Sequence, residues 1–435
     1  MILIALLAAP ALATELVWDG FYRGRGLVYN SLSLTDEDPS AEGTSNLGDH
    51  RLLLRPTWRI SDHAAIRMDL DVLPLVLWGE SSAVYTDPVT GDVLGAAQVD
   101  GVATANTNMS ALRAWGEGSA EIKGYPIKVS MGRMPMHWGA GILWNDGTDP
   151  GSEYGDTIDR FQVSAQIEQV FVMTALDVQQ EGFLGVPDDM QAVSFAVGFR
   201  NETIGLGLLN NFRWQSAYSY QAYTADLWGM AKLGPIGVEL EAAGVFGGGD
   251  LDNGANDLSI VGIGLMARGG YEAEKFGFKA ELGVATGDPD PTDKDIRTFT
   301  FDRDHNVGLF MFEEVMPTLE AGVMTASNAG RDTEQAVMGE GVSNAFYIRP
   351  SAHYRFAPSW EVELAWVNAG TAKGAEGYEG SYGNEFDLGV TLAPHPHISL
   401  GTTFGLFLPG RVFRAENAVF NQYALGARVV GTVAF

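Results

Sequence analysis

From Trp18 onward the chain repeats one design, segments of about ten residues in which apolar and polar side chains alternate. Period-two alternation belongs to a strand with two unlike faces. Between Arg51 and Ile60, Leu52, Leu54, Trp58 and Ile60 share one face, opposite Arg51, Leu53, Arg55, Thr57 and Arg59. Next, Ile66, Met68, Leu70 and Val72 oppose Arg67, Asp69 and Asp71. Later, Phe161, Val163, Ala165 and Ile167 oppose Arg160, Gln162, Ser164, Gln166 and Glu168.

Alternation alone fits a soluble sandwich as well as a membrane barrel, and the connections separate the two. Short links fall near Ser61-Asp62, Lys123 to Pro126, Glu168, Asn201-Glu202, Leu233-Gly234-Pro235, Glu272 to Lys275, Ala357-Pro358 and Pro394-His395-Pro396. Long ones fall near 35–48, 79–106, 135–156, 181–189, 213–218, 247–256, 287–342, 371–382 and 410–420. Tight turns at one end and long loops at the other are the habit of outer-membrane barrels. The segments number about 18 (16–20), an even count that sets both ends of the barrel domain on the periplasmic side. The stretch 304–326 reads either as an extra hairpin, with Val307 to Phe312 and Leu319 to Val323 as strands, or as a loop folded into the lumen. Pro56 is a second irregularity, because proline removes a ladder hydrogen bond.

The last segment puts Tyr423, Leu425, Ala427, Val429, Gly431, Val433 and Phe435 on one face. A final apolar strand ending in Phe resembles the signal read by the bacterial barrel-assembly machinery, which is therefore an expected partner. Trp58 and Trp360 adjoin proposed periplasmic turns and Trp78 an outer end, as interfacial aromatic girdles require. The first thirteen residues, MILIALLAAPALA, form a short apolar run ending small-x-small. They read as a signal peptide, residues 1–13, leaving 14–435 as a single outer-membrane β-barrel domain.

Composition narrows the classes further. Fifty-four glycines and 11% aromatic residues fit an all-β chain. No apolar run approaches the roughly 18 residues of a transmembrane helix. The absence of cysteine removes disulfides, thiolate metal sites and cysteine nucleophiles. A net charge of −28 makes nucleic acid an improbable partner.

A barrel of about 18 strands is wide enough to hold water. The loops at 79–106, 135–156 and 287–342 are long enough to fold inward and narrow it. Parity places Arg51, Arg55, Arg59, Arg67, Arg113, Arg160, Arg349, Arg355 and Arg428 in the lumen, as candidate selectivity residues. Inward acids are Asp69, Asp71, Glu117 and Glu168, then Glu239, Glu241, Glu281, Glu361, Glu363, Glu385 and Asp387. A basic wall around the closure would then face an acidic wall, an arrangement that orients polar solutes in pores. Outer loops carry further acids: Asp36, Glu37, Asp38 and Glu42; Asp146, Asp149, Glu153 and Asp156; Asp250 and Asp252; and Asp288, Asp290, Asp293 and Asp295. Spaced carboxylates could take calcium through oxygen ligands, although no defined calcium loop is present and no other cofactor is implied. The seven histidines are scattered, only His395 and His397 sharing a turn, and no nucleophile–base set assembles.

Two segments carry a resemblance. Met131-Gly132-Arg133-Met134 through Trp138-Gly139-Ala140-Gly141, followed by Asp156-Thr157-Ile158-Asp159-Arg160, resembles the Gly-Arg … Gly … Asp pattern of alginate-export-like outer-membrane porins. Ala285-Thr286-Gly287-Asp288, followed by Thr298-Phe299 and Asp304-His305-Asn306-Val307-Gly308, is similar to another segment of that family. The resemblance implies an 18-stranded monomeric barrel with an arginine-rich conduit, and adds Arg133 to Arg160 as lumen candidates.

The sequence therefore reads as an outer-membrane porin, a transmembrane antiparallel β-barrel passing polar or anionic solutes, saccharides among them. Its partners are outer-membrane lipid, the assembly machinery and the cargo. The rivals are a surface-display or adhesin-like barrel with acidic, calcium-binding loops, and an outer-membrane enzyme.

Overall fold

The computed structural model describes residues 15–32, 34, 44–73, 76–77, 98–99, 102–103, 110–180, 189–250, 258–290, 293–314, 341–373, 379–414 and 422–435. Eighteen long strands run in chain order. They are β1 (Glu15–Asn30), β2 (Thr44–Ser61), β3 (Ala64–Asp71), β4 (Ser110–Ile122), β5 (Tyr125–Pro135) and β6 (Thr157–Ile167). β7 (Val170–Gln180), β8 (Met190–Arg200), β9 (Ile204–Gln215), β10 (Tyr220–Leu233), β11 (Ile236–Gly249) and β12 (Leu258–Glu272) follow. β13 (Phe276–Ala285), β14 (Ala345–Ala357), β15 (Trp360–Thr371), β16 (Ser381–His395), β17 (Ile398–Pro409) and β18 (Ala424–Ala434) complete the set.

Each pairs antiparallel with its neighbours in sequence, and β18 returns to β1, with Phe21 opposite Ala434 and Asn30 opposite Leu425. Gly20 and Phe435 exchange both backbone hydrogen bonds at the seam, at 3.1 and 3.0 Å. The sheet is closed and leaves no edge, which is what a spanning sheet needs in lipid. The count of 18 and the alternation of short and long links follow the expected pattern. The turn near Glu168 is real, and Glu168 takes a positive φ of 52° there, so its side chain belongs to the turn and not to the lumen wall. Pro56 lies opposite Trp18 on β1 and interrupts the β2–β3 ladder between Leu54–Leu70 and Thr57–Arg67.

The two faces separate as alternation requires. Leu176, Leu206, Leu227, Leu240, Leu265 and Phe386 are exposed on the outside, an apolar belt suited to lipid. Aromatic rings gather by the short turns: Trp58, Tyr125, Tyr271, Phe276 and the stacked Phe356–Trp360 pair. Tyr423, Leu425, Val429, Val433 and Phe435 are exposed together on the final strand's outer face.

What is buried lies inside the barrel, because two loops fold into it. The connection 136–156, after β5, crosses the lumen. The connection 286–344, after β13, brings Phe299, Phe301, Val307 and Leu309 to Phe312 into an apolar cluster with Tyr347, Val367, Tyr382 and Phe407 of the wall. Residues 304–314 are thus a lumen loop and not an extra hairpin. The segment 1–13 expected to be a signal peptide, Asp36, Glu37, Asp38, Glu42, Trp78, most of 79–106, Asp252 and Leu319 to Val323 lie outside the described residues.

Candidate conduit and its arginine wall

The wall holds the inward loops by their backbones, with arginines from some strands and carboxylates from others. On the β1, β2 and β4 side, arginines donate to loop carbonyls. Arg23 Nη1 donates to Ser152 O at 3.0 Å and Arg51 Nη1 to the same oxygen at 2.6 Å. Arg113 Nη2 donates to Asp146 O at 2.6 Å and Asp156 O at 2.9 Å. On β16, three strands from β1 across the seam, and on β10 and β11 across the barrel, carboxylates accept from loop N–H groups. Glu385 of β16 accepts from Phe310 and Met311 at 2.8 Å and also from Leu309. Glu241 of β11 accepts from Ala140 N, and Asp226 of β10 from Trp138 Nε1 at 3.1 Å. The Trp138 ring reaches the wall over Gly207, where a Cβ would sit 2.8 Å from it. The loops also brace each other, since Asp304 Oδ1 accepts from Glu153 N at 2.8 Å and Tyr154 N at 3.0 Å.

The expected basic wall facing an acidic wall gives way to a finer pattern. Arginine and carboxylate alternate between adjacent strands, because antiparallel pairing brings the inward residues of one strand beside those of the next. Arg51 pairs with Asp71, Arg113 with Asp69, Arg160 with Asp177, Arg67 with Glu117 and Arg349 with Glu363. Arg355 pairs with both Glu272 and Glu361, and Arg268 with Glu239. Arg55 lies between Asp19 and Asp69, and Arg59 pairs with Glu15 at the exposed periplasmic rim. Arg160 also donates to Ser194, closing a buried network with Asp177.

Arg133 is a correction. Val129 and Met131 share its face and are exposed, Met131 by 67%, while Ser130 and Met134 are buried on the other. Arg133 therefore points outward, where it pairs with Asp159, itself on the outer face with exposed Phe161. The motif that suggested it does not respect strand parity.

Two arginines that the sequence reading passed over matter more. Arg23 and Arg25 follow Phe21 at spacings of two and precede Leu27 and Tyr29, so their inward parity was visible. Both are buried. Arg25 Nε donates to Asp49 at 2.6 Å, and its Nη1 meets Glu153 of the first inward loop. Arg428 lies across the seam, opposite Leu27 on β1 and Thr403 on β17. It makes no hydrogen bond or ion pair among the described residues, unlike Arg51, Arg113 and Arg160.

These residues border open space. A cavity of about 770 Å³ is lined by Arg23, Arg25, Arg428, Thr403, His137 and Asn145, among others. Towards the long loops it meets a narrower space of about 50 Å³ bounded by Arg25, Arg428, Glu153, Tyr154 and Arg303, whose guanidinium stacks 3.8 Å above the Tyr154 ring. Towards the short turns it adjoins a third space, about 660 Å³, at Pro394 to Ile398. The three follow one another along the β16, β17, β18 and β1 wall. The loop carboxylates are occupied locally: Asp146 caps Thr148, Asp149 caps Gly151, Asp156 caps Asn145 and Asp288 caps Asp290. No group of three or more His, Asp or Glu among the described residues is placed to hold a metal ion.

No protein-family model and no curated protein matches the chain. Solved structures do. A BenF-like porin from Pseudomonas fluorescens Pf-5 is 11% identical, with 97% of this chain and 99% of that one covered at a TM-score of 0.53. OccK2 (OpdF) of Pseudomonas aeruginosa, solved in complex with glucuronate, is 11% identical over 97% of this chain and 96% of its own, at 0.52. OpdK of Pseudomonas aeruginosa, solved with vanillate, is 11% identical over 96% and 98%, at 0.51. The fold is that of these 18-stranded outer-membrane porins. These neighbours do not support the alginate-export-like resemblance.

Proposed function

We propose that the chain is an outer-membrane diffusion channel selective for small anionic solutes, organic carboxylates and acidic monosaccharides among them. One observation carries the reading: Arg428 lies without an ion pair among the described residues, beside Arg23 and Arg25, where the three cavities follow the wall from the long loops to the short turns. A guanidinium is always charged and offers planar paired donors that match a carboxylate. Arg51, Arg113 and Arg160 are engaged with the loop or with Asp71, Asp69 and Asp177, and act by shaping the conduit. Arg55, Arg59, Arg67, Arg349 and Arg355 set the field of the periplasmic half. The ligands of two neighbours, glucuronate and vanillate, carry a carboxylate, which agrees with this chemistry.

Within that reading, an alginate-export role rests on two short motifs, one of whose arginines faces lipid. A cavity of about 770 Å³ leading to a space of about 50 Å³ suits a monomeric acid better than a polymer. Export through a signal peptide at 1–13 and insertion through a Phe435-ended strand complete the proposal. A membrane enzyme and a calcium-binding display barrel are the rivals, and neither accounts for Arg23, Arg25 and Arg428 bordering the adjoining spaces.

Swelling of proteoliposomes in isosmotic solutes tests the function. Sodium glucuronate or benzoate should enter faster than a neutral sugar of the same size. Equal rates, or no swelling in either, would remove the proposal.

A further inference from the structure

The narrowest part of the conduit is lined by carboxylates, Glu153, Asp304, Glu313 and Glu314, of which Glu153 meets Arg25. Glu153, on the first inward loop, is bonded to Arg25 Nη1 and lines both the space of about 50 Å³ and that of about 770 Å³. Its backbone is fixed without the help of its side chain. Glu153 N and Tyr154 N are held by Asp304, and Ser152 O by Arg23 and Arg51. The carboxylate is held through Arg25, and its side chain is 20% exposed, against 5% for Arg25. Arg25 is fixed from behind by Asp49, whose side chain is fully buried.

We propose that Glu153 is a tethered competitor for the solute's carboxylate: it occupies Arg25 in the empty channel and swings aside when an incoming anion replaces it. This rests on the anion-channel reading above. Arg25 keeps Asp49 on its Nε throughout, and exchange of one carboxylate for another keeps its Nη1 partnered as well, so no buried donor is stranded. A neutral or cationic solute offers Arg25 no replacement and meets a closed contact. The device therefore selects for carboxylates twice, once by attraction to Arg428 and once by the requirement to displace Glu153.

A tethered ligand competes at an effective concentration set by its reach, in the millimolar range for short links. Glu153→Gln removes the charge at nearly constant volume, and Glu153→Ala removes the stem as well. The full-length protein is recorded in planar bilayers in KCl, with sodium glucuronate added as the probe that reduces chloride current. Both variants should carry more chloride current than wild type, and the half-saturating glucuronate concentration should fall roughly three- to tenfold. Heat-modifiable migration confirms the folded barrel. If both variants keep the wild-type glucuronate dependence while the wild-type channel is anion-selective, the competitor role is overturned and the channel reading stands. A change with Ala but not with Gln would mean simple obstruction and would also overturn it. A silent or cation-selective wild type would sink both readings together.

Discussion

Arg113 of β4 donates to the Asp146 carbonyl at 2.6 Å, so a strand residue holds the first inward loop by its backbone. The same guanidinium reaches Asp156 O and pairs with buried Asp69. Removing it strips the Asp146 carbonyl of its side-chain donor, leaves Asp156 O with Met136 N alone, and leaves Asp69, among the described residues, with the weaker contact to Arg55 at 3.6 Å. Breaking one side of a buried pair costs about 3–5 kcal/mol. Arg113→Gln should therefore loosen the loop within an intact barrel, giving larger and noisier single-channel currents. A quiet variant with wild-type conductance would mean the loop is held elsewhere.

Glu385 does the equivalent work for the second inward loop, accepting three successive N–H groups from Leu309, Phe310 and Met311. Orphaned buried donors cost about 1–3 kcal/mol each. In Glu385→Ala the amides of 309–311 should lose protection in hydrogen exchange before the strands do. Unchanged protection at these three amides would assign the docking to the apolar cluster alone.

The two inward loops also meet through a pair of carboxyls. Burial, and then the nearby charge of Asp156, push the Asp302 carboxyl up to about 8. Burial likewise raises Asp156. A carboxyl raised in the folded state holds its proton there while the released loop gives it up, so docking weakens as pH rises from about 4 to about 8. Arg113, Arg303 and Asp304 face the pair and share in the balance. Conductance and current noise should climb as pH rises from about 4 to about 8, level off above that, and return on acidification. Asp302→Asn, which keeps a hydrogen bond without a titration, should flatten the response; a variant as pH-sensitive as wild type would place the titrating group elsewhere.

Arg133 and Asp159 form an exposed ion pair on the outer face. Such pairs are worth about 0–1 kcal/mol. Arg133→Gln should leave ion selectivity where it is and shift thermal unfolding barely at all. A displaced reversal potential would return Arg133 to the conduit.

The strands were legible because lipid and lumen impose opposite demands on successive residues, as in Arg51 to Ile60, and the turns because Gly, Pro and Asn mark them. Parity also contained Arg23 and Arg25, beside Phe21 and Leu27. Which arginine is consumed by structure was not legible. Arg51 and Arg428 both point inward, yet Arg51 spends its donors on Ser152 O and Asp71 while Arg428 has no such partner among the described residues. That difference depends on where a distant loop carbonyl comes to rest, which local pattern does not encode. Arg133 failed for a related reason: a motif recognised by composition carried no information about which face its arginine takes.

Arg428, without a hydrogen bond or ion pair among the described residues, is proposed to set anion preference along the conduit, and a salt-gradient reversal potential tests this most directly. With KCl tenfold more concentrated on one side, wild-type channels should reverse at the potential of an anion-preferring pore. Arg428→Gln, in a folded barrel with both inward loops docked, should shift that potential toward cation preference. A wild-type pore that prefers cations, or a conducting Arg428→Gln variant with the wild-type reversal potential, would contradict the account.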